Sequence, residues 1–222
     1  MKFVLVPIKS TTNLEKNITL IEEAAGKYKN KDLLLFGEGF LQGFGNLSFD
    51  YEKDLLKACG LFSVEVMKLR KVARDHNVAL GFGFYENDKG GIYNSYLILG
   101  NNGQTLLKHQ ALTDNWQEKA ACADYRQGHS LGSFSLEKKQ FSLLLNDDIY
   151  KDDSLLGLCE LDDRVDGFIW ISGNEDVTAK SRSALLAKPV YYLAGGEAYV
   201  LERGRAVRKN ANGGPLEVEF VG

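Results

Sequence analysis

Cysteine and histidine are scarce in this sequence, which limits the kinds of site that the chain can build. Each occurs three times, at Cys59, Cys122 and Cys159 and at His76, His109 and His129. No two cysteines form a C-x-x-C pair, and the histidines have no metal-ligand spacing. We therefore expect neither a disulfide framework nor a zinc site. Each histidine is predicted to lie at the surface or in a turn.

Long hydrophobic runs and an excess of one charge are also missing. No segment approaches the roughly 20 apolar residues of a membrane span, and the early apolar run from Phe3 to Ile8 is too short for a signal-peptide core. The 27 basic and 30 acidic side chains are well mixed and give a formal net charge of -3. The sequence therefore predicts a cytoplasmic protein that binds neither membranes nor nucleic acid.

The patterns that are present indicate an α/β protein. With 222 residues, 44% of them hydrophobic, the chain favours a single domain over 1–222 that buries roughly 70 to 75% of its unfolded surface. Strands alternate with amphipathic helices at first, and the first helix begins with a capping-box pattern at Thr12 and Glu15. Asn102-Gly103 predicts a type I′ hairpin, and glycine turns predict further hairpins in the tail. The segment ALLAK at 184–188 predicts a further helix. We expect a mixed sheet or a pair of sheets, covered by helices.

Two predicted strands end in polar side chains. DLLLFGEGF places Glu38 just past an apolar strand, between Gly37 and Gly39, and FSLLLNDDIY at 141–150 breaks off into Asn146, Asp147 and Asp148. Strand ends at the rim of a sheet are where open α/β folds place their sites. An exposed loop acid would give the same local sequence at Glu38, so this segment alone leaves both interpretations open.

The order of several segments resembles the nitrilase or carbon-nitrogen hydrolase superfamily. The segments are LLLFGEGFLQGF at 33–44, a long helix and strand ending in GFYE at 83–86, YNS at 93–95, and YRQGHSLGSFSLEKKQFSLLL at 125–145. The resemblance covers nearly the whole chain. It implies a single-domain αββα sandwich with mixed sheets and a homodimer. It calls for no metal or organic cofactor.

The resemblance also implies catalytic roles. In this superfamily a glutamate is the general base, a lysine stabilises the tetrahedral intermediate, and a cysteine is the nucleophile. Glu38 matches the base. The cysteine position, aligned on Asp148-Ile149, is Asn146, and the lysine position, ungapped from Gly103, is Ala111. Lys108 lies three residues earlier and could replace the lysine only if the hairpin strand were shorter than usual.

Three further residues are candidates for binding a ligand, which we expect to be a small amide or carboxylate. Glu118 resembles an additional acid that many members carry near the site. Tyr85 belongs to the GFYE segment, and Asp148 follows the strand that ends at Asn146. Asp148 is also predicted to cap the helix that comes next.

The first functional hypothesis is a member of this superfamily without hydrolase activity that binds a small ligand or a partner. A carboxamide cannot replace a thiolate as nucleophile, and catalytic residues that act as a unit lose most of the rate when one is missing. Glu38 would then hydrogen-bond the Asn146 amide, and its pKa should be raised because no lysine lies beside it.

Two alternatives remain open at this stage. The chain could be an active amide or nitrile hydrolase that uses a displaced cysteine, Cys122 or Cys159, although a lone cysteine on an apolar helix is usually a small core residue. An aspartate nucleophile at position 147 or 148 is a weaker version of this idea. The chain could also be an unrelated α/β domain that shares only the architecture.

Overall fold

The computed structural model of the chain describes residues 1–117 and 123–220, apart from the side chains of residues 152–155. Within these residues the strands are β1 (Lys2–Leu5), β2 (Leu33–Leu35), β3 (Ala79–Asp88), β4 (Gly91–Leu99), β5 (Thr105–Gln110), β6 (Tyr125–Arg126), β7 (Ser133–Leu136), β8 (Lys139–Leu145), β9 (Gly167–Ser172), β10 (Val190–Ala194), β11 (Glu197–Glu202), β12 (Arg205–Lys209) and β13 (Leu216–Glu219). The helices are α1 (Leu14–Lys27), α2 (Tyr51–Lys57), α3 (Val64–His76), α4 (Asp152–Asp162) and α5 (Ala179–Ser183), and short 3-10 helices occur at Asn115–Gln117 and Asp148–Tyr150.

The strands form two mixed sheets. The first has the order β13-β1-β2-β3-β4-β5, with β6 paired to β4, and the second has the order β12-β11-β10-β9-β8-β7. Strands β1, β2 and β3 are parallel in the first sheet, as are β8, β9 and β10 in the second. The remaining neighbours in these two orders are antiparallel. The carboxyl ends of the parallel strands therefore lie together at one edge of each sheet.

Alternating side chains along each strand produce four layers. In β1, Phe3 and Leu5 pack between the sheets, whereas Val4 faces the helices α1 and α3. In β9, Ile169 packs between the sheets, whereas Trp170 faces α4 and α5. Helices thus cover the outer face of each sheet, and the predicted αββα sandwich is confirmed.

Helix α1 shows how the local sequence sets an element. Its apolar face contributes Ile18 and Ile21 to the core, as the periodicity predicts. The prediction of a capping box at Thr12 was wrong, because Asn13 is the N-cap and its side chain accepts a hydrogen bond from the Lys16 amide. Asn13 leads among N-cap residues, so the helix begins one residue later than the capping-box pattern placed it.

The hairpins fall where the glycine turns predict them, with two differences in detail. Strands β4 and β5 pair across the Asn102-Gly103 turn, but Gly103 has a positive φ (77°) and Asn102 does not. This is not a type I′ turn, which needs positive φ at both central residues. The helix expected at 184–188 lies instead at α5, immediately before that segment.

None of the helices in the described part of the chain is long and apolar enough to cross a membrane.

Candidate functional site

Glu38 lies just past β2, in a turn that presses closely against the neighbouring strand β3. A Cβ atom added at Gly83 would lie 2.7 Å from the Cα of Glu38 and 2.4 Å from the amide nitrogen of Gly39. Gly83 therefore allows the turn to cross β3 at this distance, and Gly39 adopts the positive φ of 55° that closes the turn. This packing leaves Glu38 buried, with 4% of its surface exposed.

Both carboxylate oxygens of Glu38 accept hydrogen bonds. The Asn94 side-chain amide on β4 donates to Oε1 at 2.6 Å, and the backbone amide of Gly173, just past β9, donates to Oε2 at 2.5 Å. Among the described residues, Asn146 does not hydrogen-bond Glu38. The predicted Glu38–Asn146 bond was therefore wrong, because Asn94 and Gly173 approach the carboxylate from the two facing sheets.

The surroundings of Glu38 favour its protonated form. Burial raises its pKa from the ordinary value of 4.5 to about 7, the hydrogen bonds from Asn94 and Gly173 oppose that rise, and the carboxylates of Asp147 and Asp148 add to it. The predicted increase in pKa is confirmed. At neutral pH the group is close to half ionised, which is the range in which a carboxylate can exchange protons.

Ala111 lies opposite Asn94, whose side chain hydrogen-bonds this carboxylate. Its backbone amide donates to the Asn94 carbonyl at 2.8 Å, which extends the β4–β5 pairing by one step and places Ala111 opposite Asn94. Ala111 is buried in the layer between the sheets. The position that the resemblance assigns to the lysine therefore neighbours Asn94, which bonds Glu38, and it carries only a methyl group.

Asn94 has one polar atom without a partner. Its Oδ1 is buried and accepts no hydrogen bond within the described residues, whereas its Nδ2 donates to Glu38. A buried acceptor left unpaired costs about 1 to 3 kcal/mol. A cationic side chain at position 111 would lie next to this oxygen, and the alanine there cannot satisfy it.

Lys108 lies on the opposite face of the same sheet. It pairs with Leu97, which packs in the helix-facing core, and its ammonium contacts Glu86 at 2.9 Å and Asp88 at 3.2 Å. Asn94 and Ala111 face the other way, toward the second sheet. The structure therefore does not bring Lys108 to Glu38, and its role as a substitute lysine is not supported.

Asn146 ends β8 in a left-handed conformation, with a φ of 51°. Its backbone amide donates to the Ile171 carbonyl at 2.7 Å, and its carbonyl accepts from Trp170 Nε1 at 2.8 Å. These bonds fix the strand end beside β9, whose own end carries Gly173. Asn146 thus lies at the edge where the strands that carry Glu38 and Gly173 also end.

Asp148 joins the two sheets beneath this edge. Its carboxylate is fully buried and accepts from the amides of Leu112 at 2.7 Å and Leu145 at 2.8 Å, and it lies 2.6 Å from Nε2 of His109. The prediction that Asp148 caps the next helix was therefore wrong, because α4 has no side-chain cap. The surface placement of His109 was also wrong, since it is buried against Asp148.

Two aromatic side chains, Tyr85 and Trp116, stack on each other, and Tyr85 lies near Glu38. Tyr85 pairs with Asn94 and so shares its face of the sheet, and its hydroxyl accepts from the Gly45 amide at 3.2 Å. Its ring stacks on Trp116 at 6.5 Å. Burial and then the charge of Glu38 raise the pKa of Tyr85. Tyr85 therefore lies near Glu38, and its role in binding a ligand stays a prediction.

A pocket of about 290 Å³ opens beside Glu38. Its walls come from the segments that follow β1, β2, β9 and β10, and they include Ile8, Phe44 and Leu193. The ring of Phe44 lies against Gly173, where an added Cβ atom would meet two ring carbons at 1.9 Å. Sequence reasoning did not single out Phe44 or Gly173, because Phe44 is one aromatic residue in a loop and Gly173 acts through its backbone.

The described cysteines lie away from Glu38. Cys59 is buried in the helix-facing core of the first sheet, where burial and Glu65 raise its pKa to about 11. Cys159 is exposed on α4, which packs on the outer face of the second sheet. Cys122 and Glu118 lie outside the described residues. Within the described residues no group of His, Cys, Asp and Glu is arranged to hold a metal ion.

Comparison with solved structures relates the fold to amidases. An amidase from Nesterenkonia sp. superposes with a TM-score of 0.78 at 18% identity, over 99% of this chain and 90% of the amidase. A mutant of the amidase from Nesterenkonia sp. AN1 in complex with butyramide gives a TM-score of 0.80 at 18% identity, with the same coverage of 99% and 90%. At this identity the likeness establishes the fold.

Sequence comparison relates about half of the chain to nitrilases. An arylacetonitrilase from Hypocrea virens (strain Gv29-8 / FGSC 10586) is 28% identical over 130 residues, which cover 54% of this chain and 38% of that protein. An aliphatic nitrilase from Rhodococcus rhodochrous is 26% identical over 120 residues, which cover 48% of this chain and 31% of that protein. The match thus spans well under half of either nitrilase.

The family model for carbon-nitrogen hydrolases matches residues 6–123, which is more than half of the 222 residues. This segment contains Glu38, Asn94 and Ala111, whose geometry is described above. The fold, the order of the segments and the family match agree, and the chain belongs to the carbon-nitrogen hydrolase family.

Proposed function

We propose that this chain is a carbon-nitrogen hydrolase family member that does not hydrolyse its ligand and instead binds a small molecule beside Glu38. The observation that carries this proposal is the asparagine at the end of β8. Asn146 holds the strand end to which the resemblance assigns the nucleophile, and neither described cysteine lies at this edge of the sheets. A carboxamide does not attack an amide or nitrile carbon.

The missing lysine supports the same proposal independently. Ala111 lies opposite Asn94 on the inner face, and the ammonium of Lys108 is held by Glu86 on the outer face. Stabilisation of a developing oxyanion needs a donor within hydrogen-bond reach of it. Loss of two members of one catalytic unit should leave little of the rate.

The ligand-binding part of the proposal depends on the pocket. A concave site with apolar walls and a few polar groups is the usual form of a small-molecule site, and about 290 Å³ suits a small ligand. The related amidase was solved with butyramide, so a small primary amide is a reasonable first probe. Glu38 would orient such a ligand by accepting a hydrogen bond from its amide nitrogen.

Ammonia release tests the absence of hydrolysis. Purified protein is incubated with butyramide, phenylacetamide, butyronitrile and phenylacetonitrile, and released ammonia is compared with a buffer blank. We expect no release above the blank, together with a ligand-dependent rise in melting temperature for at least one small polar ligand. Release that depends on Glu38 and disappears in Glu38→Gln would overturn the proposal.

The displaced-cysteine alternative is tested by the same assay. Cys122→Ser, Cys159→Ser and Cys59→Ser are each compared with the unchanged chain. Loss of ammonia release in one variant alone would identify the nucleophile and establish an enzyme. If all four proteins release no ammonia, the alternative is rejected.

We also propose that the chain is a cytoplasmic homodimer. Large apolar side chains are exposed on α2 and just before α3, where Leu56 and Phe62 are 89% and 86% exposed. Static light scattering is expected to give twice the chain mass of 24.7 kDa. A monomeric mass at micromolar concentration would contradict the proposal.

A further inference from the structure

The Glu38 carboxylate has neutral hydrogen-bond donors and other carboxylates near it. Its two hydrogen-bond donors, the Asn94 amide and the Gly173 backbone amide, are both neutral. The carboxylates of Asp147 and Asp148 are close enough to act on it electrostatically. Within the described residues, no cation hydrogen-bonds the Glu38 carboxylate.

A second, independent observation also indicates negative electrostatic potential near Glu38. The Oδ1 atom of Asn94 is buried and has no partner among the described residues. It belongs to the same side chain that donates to Glu38, and Ala111 lies opposite it. An unpaired carbonyl oxygen adds negative potential near a carboxylate, which favours a cation bound at that carboxylate.

The pocket reaches this region and suits a cation with an apolar chain. Glu38 is its acidic wall residue, and Ile8, Phe40 and Leu193 supply apolar walls. The ring of Phe44 is 43% exposed at the pocket, and an aromatic face attracts an ammonium group. The basic wall residue is Lys9, which is exposed, so water screens its charge.

From these observations we infer that the pocket takes a small primary alkylammonium ligand, with its ammonium group on the Glu38 carboxylate and its alkyl chain along the apolar walls. This inference rests on the proposed function and narrows the ligand from any small polar molecule to a cation. The inference predicts different affinities for three ligands of similar size that differ in charge: n-butylammonium, neutral butyramide and anionic butyrate. The acidic surroundings should favour the first and disfavour the last.

The pH dependence of binding follows from the ionisation of Glu38. An alkylammonium, like lysine, stays protonated through neutral pH, and it needs Glu38 ionised. Within residues 1–117 and 123–220, the titratable or charged groups that act on Glu38 or share its pocket are Asp147, Asp148, Tyr85 and Lys9. Because the pKa of Glu38 is about 7, its ionised fraction rises about tenfold between pH 6 and pH 8.

Isothermal titration calorimetry with the three ligands, at pH 6 and pH 8, tests the inference. At pH 8 we expect n-butylammonium to bind about tenfold more tightly than butyramide, with butyrate weakest. Between pH 8 and pH 6 the affinity for n-butylammonium should fall about tenfold, while that for butyramide changes little. At pH 7, titrations in buffers of different ionisation enthalpy should show proton release when n-butylammonium binds.

Two variants separate the Glu38 effect from a general charge effect. Glu38→Gln should remove both the preference for n-butylammonium and its pH dependence. Glu22→Gln makes the same chemical change at an exposed position of α1 that does not line the pocket, and this matched control should retain both. If Glu38→Gln does not fold, the pH series and the proton release of the unchanged chain still decide the question.

The outcomes distinguish this inference from the proposed function. Binding of butyramide or butyrate at least as tight as n-butylammonium at pH 8 would overturn the inference and leave a non-hydrolytic ligand-binding protein. Ammonia release from butyramide would overturn the proposed function. Absence of binding by all three ligands would overturn the inference together with the ligand-binding part of the proposed function.

Discussion

Glu38 and Gly173 are 135 positions apart in the chain, yet the backbone amide of Gly173 donates to Oε2 of Glu38 at 2.5 Å. Glu38 follows β2 of the first sheet and Gly173 follows β9 of the second. The bond therefore joins the two sheets at the edge where the pocket opens. Changes at either residue should consequently affect stability as well as binding.

The buried Glu38 carboxyl should make stability depend on pH. Its pKa is raised from 4.5 to about 7, so the folded state binds this proton more tightly than the unfolded state does. Its contribution to stability is therefore fully present below pH 4.5, decreases between pH 4.5 and 7, and is lost above pH 7. The total change is about 3 kcal/mol.

Urea unfolding at pH 5 and pH 8 measures this change for the unchanged chain and for Glu38→Gln. The unchanged chain should lose about 2 to 3 kcal/mol more than the variant between these two pH values. Any constant effect of the glutamine cancels in this comparison. Equal losses in the two proteins would show that Glu38 does not titrate as described.

Asp148→Ala should be strongly destabilising. The substitution leaves the buried amides of Leu112 and Leu145 without an acceptor and removes the partner of His109. We expect a loss of about 3 kcal/mol or more in the free energy of unfolding, measured by chemical denaturation. The neighbouring Asp147→Ala is the matched control.

Asp147 is partly exposed and hydrogen-bonds Asn115 in an exposed position. Its removal should cost less than about 1 kcal/mol. Comparable losses for the two aspartates would contradict the role assigned to Asp148 between the sheets.

Gly173→Ala should disturb the pocket wall. The new Cβ atom would meet ring carbons of Phe44 at 1.9 Å, so the ring must move at a cost of about 1 to 3 kcal/mol. Adding Phe44→Ala should recover most of this loss.

Gly37→Ala is the control, because an added Cβ atom there meets nothing within 4 Å, and its effect should stay within about 0.5 kcal/mol. Thermal unfolding of the unchanged chain and these three variants measures the differences, and equal losses at positions 37 and 173 would count against the contact.

The double variant Asn146→Cys with Ala111→Lys should gain the ability to release ammonia from butyramide. Cysteine would supply the nucleophile at the end of β8, and lysine would place an ammonium beside Asn94 and Glu38. Either single variant should remain inactive, because such residues act as a unit. Adding Glu38→Gln to the double variant should remove the gained activity. A folded double variant without activity would mean that these positions are not those of the missing groups.

Parts of this site could be predicted because their signals are local. Glu38 directly follows a short apolar strand and lies between two glycines, and Asn146 ends an apolar run, so both strand ends were visible in the sequence. The order of strands, helices and hairpin turns predicted a mixed sheet or a pair of sheets, and the family resemblance implied the two-sheet sandwich. The family resemblance assigned catalytic positions to Glu38 and Ala111. Only the folded structure shows which residues surround them.

Other parts depend on contacts between distant segments. Gly173 acts through a backbone amide, which has no side-chain signature. The burial of His109 depends on Asp148, 39 positions away, and a lone histidine gives no sign of such a partner. Side chains alternate between the two faces along β5, so the face that Lys108 occupies depends on the register of the β4–β5 hairpin. Asn94 was visible only as part of the YNS segment.

Ammonia release by the unchanged chain distinguishes a family fold without its reaction from an active hydrolase. Purified protein is incubated with butyramide and with phenylacetonitrile at pH 8, where Glu38 is ionised, and Glu38→Gln is run in parallel. We expect the same ammonia signal as the buffer blank for both proteins. Ammonia release by the unchanged chain that is absent in Glu38→Gln would contradict this expectation.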